Sequence, residues 1–248
     1  MSPSRRDNRA DVDDGRDQRC SSFLAMTAKS PGIGSLVLVP ALITLVVTIL
    51  RLVGELQGWN QMLFNNGAPG PETPPALFGI FALVPIFGAW FGWRLRRTTG
   101  GPAHAGKAAL LFAAGMGVLV GLYMAAEAVG LVVMPTKEAP GVPDGMLWVL
   151  GILILSCVVA FIAWPRLTST LFVYAVLARI PVIAITFVAV EKNWDTHYTK
   201  LPAEFALPTG ESKAMFLSIP QCTFWIAFTM LVGGLFGCLG AALTRRKD

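Results

Sequence analysis

The sequence predicts an all-α, polytopic membrane protein with six transmembrane helices and with both N- and C-termini cytoplasmic. Three observations predict it. The first is composition: of 248 residues, 54% are hydrophobic and only 14% charged, with mean hydropathy +0.60. A soluble domain carries about 25% charged residues, so an ordinary water-soluble enzyme, a disordered chain and a nucleic-acid binder are excluded. The second is segment length. Crossing the hydrocarbon core takes about 20 apolar residues, and the stretches near 31–53, 76–95, 107–134, 146–164, 168–190 and 221–243 meet that test. Their apolar runs are continuous, which excludes the alternating strands of a β-barrel. The third is charge placement. Of the 20 Lys and Arg residues, 14 fall in the tail 1–30, the connections 94–107 and 164–168, and the terminus 244–248. That side is assigned to the cytoplasm.

The elements follow in order. Residues 1–29 are rich in Arg and Asp, with little that can pack, and read as a disordered cytoplasmic tail. No apolar core follows the early arginines before the first span, so no signal peptide is expected. Met26 stands just before that span, so a start there would remove the tail. Residues 30–248 form one transmembrane domain. Prolines 40, 85 and 181 interrupt the first, second and fifth spans and favour kinks. The loop 54–75, with Asn65, Asn66, Gly67, Pro69, Gly70 and Pro71, is rich in turn formers. Pro165, Arg166 and Leu167 make a tight turn, so spans four and five form an antiparallel hairpin, with Thr168 as N-cap of the fifth. The outer loop 191–220 is longer than connection requires.

The seven tryptophans agree with this topology, because Trp favours membrane interfaces. Trp90, Trp93 and Trp164 fall at cytoplasmic ends; Trp59, Trp148, Trp194 and Trp225 fall at outer ends.

Helices in lipid associate through small residues and polar contacts. Gly117 and Gly121 in span three, and Gly233 and Gly237 in span six, have the four-residue spacing of such faces; Gly88 and Gly92 repeat it in span two. Span three also carries Tyr123 and Glu127 on its opposite face. It is therefore expected at the centre of the bundle, with span four peripheral.

Glu127 and Arg179 are the charges within the spans. A lone charge at mid-membrane costs at least about 2.5–3.5 kcal/mol, so they are expected to pair or to line a polar cavity. The pair is read either as a substrate counter-ion or proton relay, or as a lock on helix packing. Thr44, Thr48, Arg51 and Glu55 fall on one face of span one at intervals of four, three and four. Facing Glu127 and Arg179, they would make a polar pocket open to the outside. The other reading has Arg51 snorkelling to headgroups and the threonines bonded back to their own helix. An alternative outer-loop site gathers Asp195, His197 and Tyr198 in the run N-W-D-T-H-Y.

The four cysteines form no C-x-x-C, and the histidines, His104 and His197, fall on opposite sides. No metal site, cofactor or disulfide framework is expected. P-loop, G-x-G-x-x-G, H-E-x-x-H and G-x-S-x-G motifs are absent.

Three functions are compatible with these residues. The favoured one is a non-enzymatic multi-pass protein of a bacterial inner membrane, binding or passing a small solute or serving as a subunit of a membrane assembly. Its partners would be the lipid bilayer and other membrane subunits or further copies of the chain. The second is a membrane-embedded enzyme with an outer-surface site near Asp195 and His197. The third is a purely structural or sensory membrane protein.

Overall fold

In a water-soluble bundle a helix buries its apolar face and exposes its polar one. The first helix, α1 (Ile33–Leu56), does the reverse. Leu38, Leu42, Val46 and Ile49 are turned outward, while Thr44, Thr48 and Glu55 are buried. The computed structural model, which describes residues 32–67, 79–207 and 212–244, repeats the inversion farther along. In α5 (Pro165–Glu191), Thr168, Thr170, Tyr174, Arg179 and Thr186 are buried, while Phe172, Ile180 and Phe187 are exposed. Polar inside and apolar outside is the arrangement that lipid rewards.

The remaining helices are α2 (Ile80–Thr99), α3 (Ala105–Ala128), α4 (Met146–Ala163), α6 (Lys213–Cys222) and α7 (Phe224–Ala242). Helices α1, α3, α4 and α5 and the segment Lys213–Ala242 are long and apolar enough to cross a membrane. The chain is thus all-α and of multi-pass membrane type by length and composition. The sixth expected span, α2, falls outside that set. Its helix begins at Ile80 and runs on to Thr99, taking in Arg94, Arg96 and Arg97. Trp90 therefore lies near the middle of α2 and not at its end. The tail 1–29, Met26 and the prolines of the loop 54–75 lie outside the described residues.

The centre of the bundle is α7, and the expectation that span three would hold that place is corrected. Helices α2, α3, α4 and α5 all pack on α7, whereas among the described helices α3 meets only α4 and α7. Glycine explains the choice. A Cβ at Gly88 would come within 2.7 Å of the Gly233 backbone, and Gly92 and Gly237 meet the same way one turn on. Gly234 leaves room for the Phe112 ring, and Gly115 for Leu231. By contrast, nothing lies within 4 Å of a Cβ at Gly117 or Gly121. That stripe of α3 faces away from the other described helices. The fully buried Phe91, Leu95, Phe112, Leu167, Leu171, Met230 and Leu231 fill the core around α7. Helix α4 is less peripheral than expected: it touches α3, α5 and α7, and its Ser156 is fully buried.

The contact registers give the helix directions. Gly88 meets Gly233 and Gly92 meets Gly237, so α2 and α7 run parallel. Phe112 meets Gly234 and Leu231 meets Gly115, so α3 and α7 run antiparallel. Leu171 meets Gly233 and Leu167 meets Gly237, which makes α5 antiparallel to α7. Thr44 meets Tyr174 and Glu55 meets His197, so α1 and α5 run parallel.

Three local expectations change. Helix α5 begins at Pro165 behind Trp164, so Thr168 does not cap it. Proline suits a first helical position because its missing N–H has no partner there anyway. The Thr168 hydroxyl instead donates back across the turn to the Ala160 carbonyl at 2.7 Å. Helix α3 stops at Ala128, six residues early, because Gly130 takes a left-handed conformation (φ 73°) that closes the helix. The stretch 191–220, expected as an outer loop, is not a plain loop, since it contains most of α6. Its residues 201–207 reach the α3–α4 connection, where Gly141 and Phe205 form a bridge.

Candidate functional site

A line of buried polar groups follows the α1–α5 contact and ends in a cluster at the C-terminal end of α1. Thr48 donates to the Thr44 carbonyl at 2.7 Å, and Thr44 to the Pro40 carbonyl at 2.9 Å. With that proton committed, Thr44 Oγ1 accepts from the Tyr174 hydroxyl at 2.8 Å. Each threonine is therefore satisfied by its own helix, and only Thr44 also reaches across. Tyr174 packs edge-on against Phe87 and Phe91 of α2, which fixes its ring.

One and two turns farther along α1, Arg51 Nε donates to Glu55 Oε1 at 2.8 Å. Glu55 is fully enclosed because the chain after α5 folds down over it. Asn193 takes a left-handed conformation (φ 51°), and the Trp194 N–H bonds to the Ala189 carbonyl at 2.9 Å. This turn brings the His197 backbone N–H to 3.0 Å from Glu55 Oε2. The His197 ring Nδ1 lies 2.6 and 2.7 Å from the two carboxylate oxygens. Three donors from two distant segments thus converge on one carboxylate, and Nε2 of the ring is left over. Burial holds the His197 imidazole below its ordinary pKa; the Glu55 hydrogen bond raises it and Arg51 lowers it further. The ring is neutral at pH 7, with its proton on Nδ1 toward Glu55. The Tyr198 ring lies tilted beside it with centroids 3.8 Å apart, and burial pushes its phenol well above the usual value.

The two sites expected separately, the α1 stripe and the outer-loop group, therefore meet at Glu55 and His197. Asp195 does not join them. It is exposed, pairs with Lys200 and accepts from Asn66 Nδ2 at 3.3 Å. Asp195 lies on the exposed side of this turn, whereas Thr196 and Tyr198 are buried.

No family model, curated protein or solved structure matches this chain. Its chemistry therefore rests on its own geometry.

Glu127 and Arg179 are not brought together. Glu127 is exposed in the last turn of α3, beside Tyr123, whereas Arg179 is buried in α5. Helices α3 and α5 do not touch, because α7 stands between them. Arg179 instead turns to the junction of α6 and α7. Its Nη1 donates to Gln221 Oε1 at 3.0 Å, and its Cζ lies 5.7 Å from the centre of the Trp225 ring. Arg179 Nε is buried with no hydrogen-bond partner.

Sequence reasoning missed Gln221 and Tyr174. Gln221 stood at the edge of an expected span, where a polar residue draws no notice. Tyr174 was visible as a polar residue on the fifth span, but helical spacing does not place it with Arg179. Among the described residues, no group of three His, Cys, Asp or Glu side chains is arranged to hold a metal ion.

Proposed function

We propose that this chain is a non-enzymatic, multi-pass protein of a bacterial inner membrane, with six spans and both termini cytoplasmic, that binds or passes a small solute through its outer half. The observation that carries the reading is the buried polar line between α1 and α5. Polar groups in lipid are costly and mark ligand paths or binding pockets. This line runs from Thr44 and Tyr174 to the cluster of Arg51, Glu55 and His197, with Arg179 as a further buried charge.

Six spans are favoured by helix direction. Helix α2 packs along α7 in parallel with glycine backbone against glycine backbone, and α7 belongs to a membrane-long segment. Counting α2 as a span makes the six directions alternate. It also puts Arg94, Arg96, Arg97 and Lys107 on the side of the chain's termini, in line with the positive-inside bias.

Membership of a larger assembly is the second reading. It is favoured by the Gly117 and Gly121 face of α3, where a Cβ meets nothing within 4 Å among the described residues.

Reporter fusions test the topology. A reporter after Asp248 is expected to be active only in the cytoplasm, and one within 135–143 only outside; activity of the first outside the membrane refutes six spans. Substituting Arg179 by Gln tests the role. Loss of the cellular phenotype at normal membrane expression supports solute handling. Loss of expression alone supports a packing role.

A further inference from the structure

We propose that the break between α6 and α7 is an oxyanion site centred on Arg179, taking a carboxylate or phosphate group. The inference rests on the solute-binding reading above and names the chemistry of what is bound.

Four observations converge. Arg179 is 7% exposed, so its charge is removed from solvent, yet among the described residues no carboxylate pairs with it. A guanidinium has five N–H donors; its hydrogen bond to Gln221 uses one, and the buried Nε has no partner. The groups around it are also donors. Gln221 accepts through Oε1, which leaves its amide N–H groups, and Trp225 carries an indole N–H. Finally, α7 starts here. Thr223 (φ −120°, ψ −83°) interrupts the helix, and no side chain caps the first turn of α7. The N–H groups of a first turn have no intrahelical partner and carry the positive end of the helix dipole.

A helix start backed by a buried arginine is a site for negative charge. The carbonyl end of α6 meets the same break, but the guanidinium donates to the Gln221 side chain and to none of those backbone oxygens. Gln221 and Trp225, which touch Arg179, are themselves only half-buried, so the site lies near the surface of the bundle. A planar guanidinium binds carboxylate or phosphate through paired hydrogen bonds, which favours an oxyanion over a spherical halide.

The anion has two possible sources, a dissolved solute or a lipid headgroup. The full chain is purified in neutral detergent and titrated with sodium phosphate or sodium acetate against sodium chloride at constant ionic strength. In parallel it is placed in phosphatidylcholine nanodiscs with increasing phosphatidylglycerol. The thermal midpoint and tryptophan emission are followed. Ligand that binds only the folded chain raises the midpoint. A saturable rise in the first arm identifies a dissolved oxyanion, and one in the second arm alone identifies a headgroup. Arg179→Gln is expected to abolish the rise, Arg179→Lys and Gln221→Leu to weaken affinity about tenfold, and Lys213→Gln to leave it intact. If Arg179→Gln does not fold, the Lys and Gln221 variants decide. No saturable rise in either arm, or a rise untouched by all three site variants, overturns the proposal. Failure here with the reporter topology intact removes the anion site and leaves the membrane reading standing.

Discussion

His197 reaches Glu55 twice, through its backbone N–H at 3.0 Å and through its ring Nδ1 at 2.6 and 2.7 Å. The two residues are 142 positions apart, so this one contact ties the C-terminal end of α1 to the turn after α5. Arg51 supplies the third donor from within α1. Both carboxylate oxygens of Glu55 are thus engaged by donors from α1 and from the turn after α5.

Replacing Glu55 by Ala removes the acceptor and leaves Arg51 and His197 without their partner. Breaking a buried ion pair costs about 3–5 kcal/mol, so a clear drop in thermal midpoint in detergent is expected. A double-mutant cycle with His197→Ala should show coupling of about 0.5–3 kcal/mol. Additive single effects would mean that the two residues do not stabilise each other.

Stability should fall on acidification. Burial depresses the His197 pKa, so the unfolded chain takes up that proton more readily than the folded one. The contribution of the neutral ring is complete above its unfolded value of about 6.5 and is lost as pH falls through the lower folded value. The groups facing the ring are Glu55, Arg51 and Tyr198. Melting curves collected across this range should show the midpoint dropping below about pH 6.5, and His197→Gln should remove that step. A midpoint that rises in acid would show that the folded ring is charged.

The glycine faces should respond in opposite ways. Gly92→Ala forces a Cβ into the Gly237 backbone, and overpacking of this kind costs about 1–3 kcal/mol. Gly117→Ala meets nothing within 4 Å and should be neutral, or stabilise by about 0.5–1 kcal/mol through the helix backbone. Unfolding midpoints of the two variants provide the comparison. If Gly117→Ala is the more damaging change in membranes but not in detergent, a partner helix covers that face.

Thr168→Val should cost about 0.5–1.5 kcal/mol, the net worth of one hydrogen bond. It removes the 2.7 Å bond to the Ala160 carbonyl across the α4–α5 turn. Proteolysis near Trp164 offers a local readout; unchanged protection would mean that Pro165 and packing alone hold the hairpin.

Much of this architecture is written in one dimension. Continuous apolar runs set five of the membrane-long segments, because lipid admits only backbone that satisfies itself within a helix. The Arg51–Glu55 spacing, the tight turn at Pro165 and the four-residue glycine spacing are equally local, since each depends on residues within a helical turn or two. The end of α3 at Gly130 and the α6 helix within the outer stretch were less legible, because a single φ angle and a half-apolar segment decided them.

Tertiary structure alone decided which faces meet. Gly117–Gly121 and Gly233–Gly237 carry the same signal in sequence, yet only the second pair has backbone against it. Spacing says that a helix can be approached closely and not which helix will come. The same holds for charge. Glu127 and Arg179, the two charges within the spans, were expected to pair or to line a polar cavity, but α7 occupies the centre and separates them. Glu55 found His197 instead, through a turn whose direction is fixed by Asn193 and Ala189. Helix formation is governed by neighbours in sequence, whereas partner choice depends on shape and polar complementarity summed over the whole bundle.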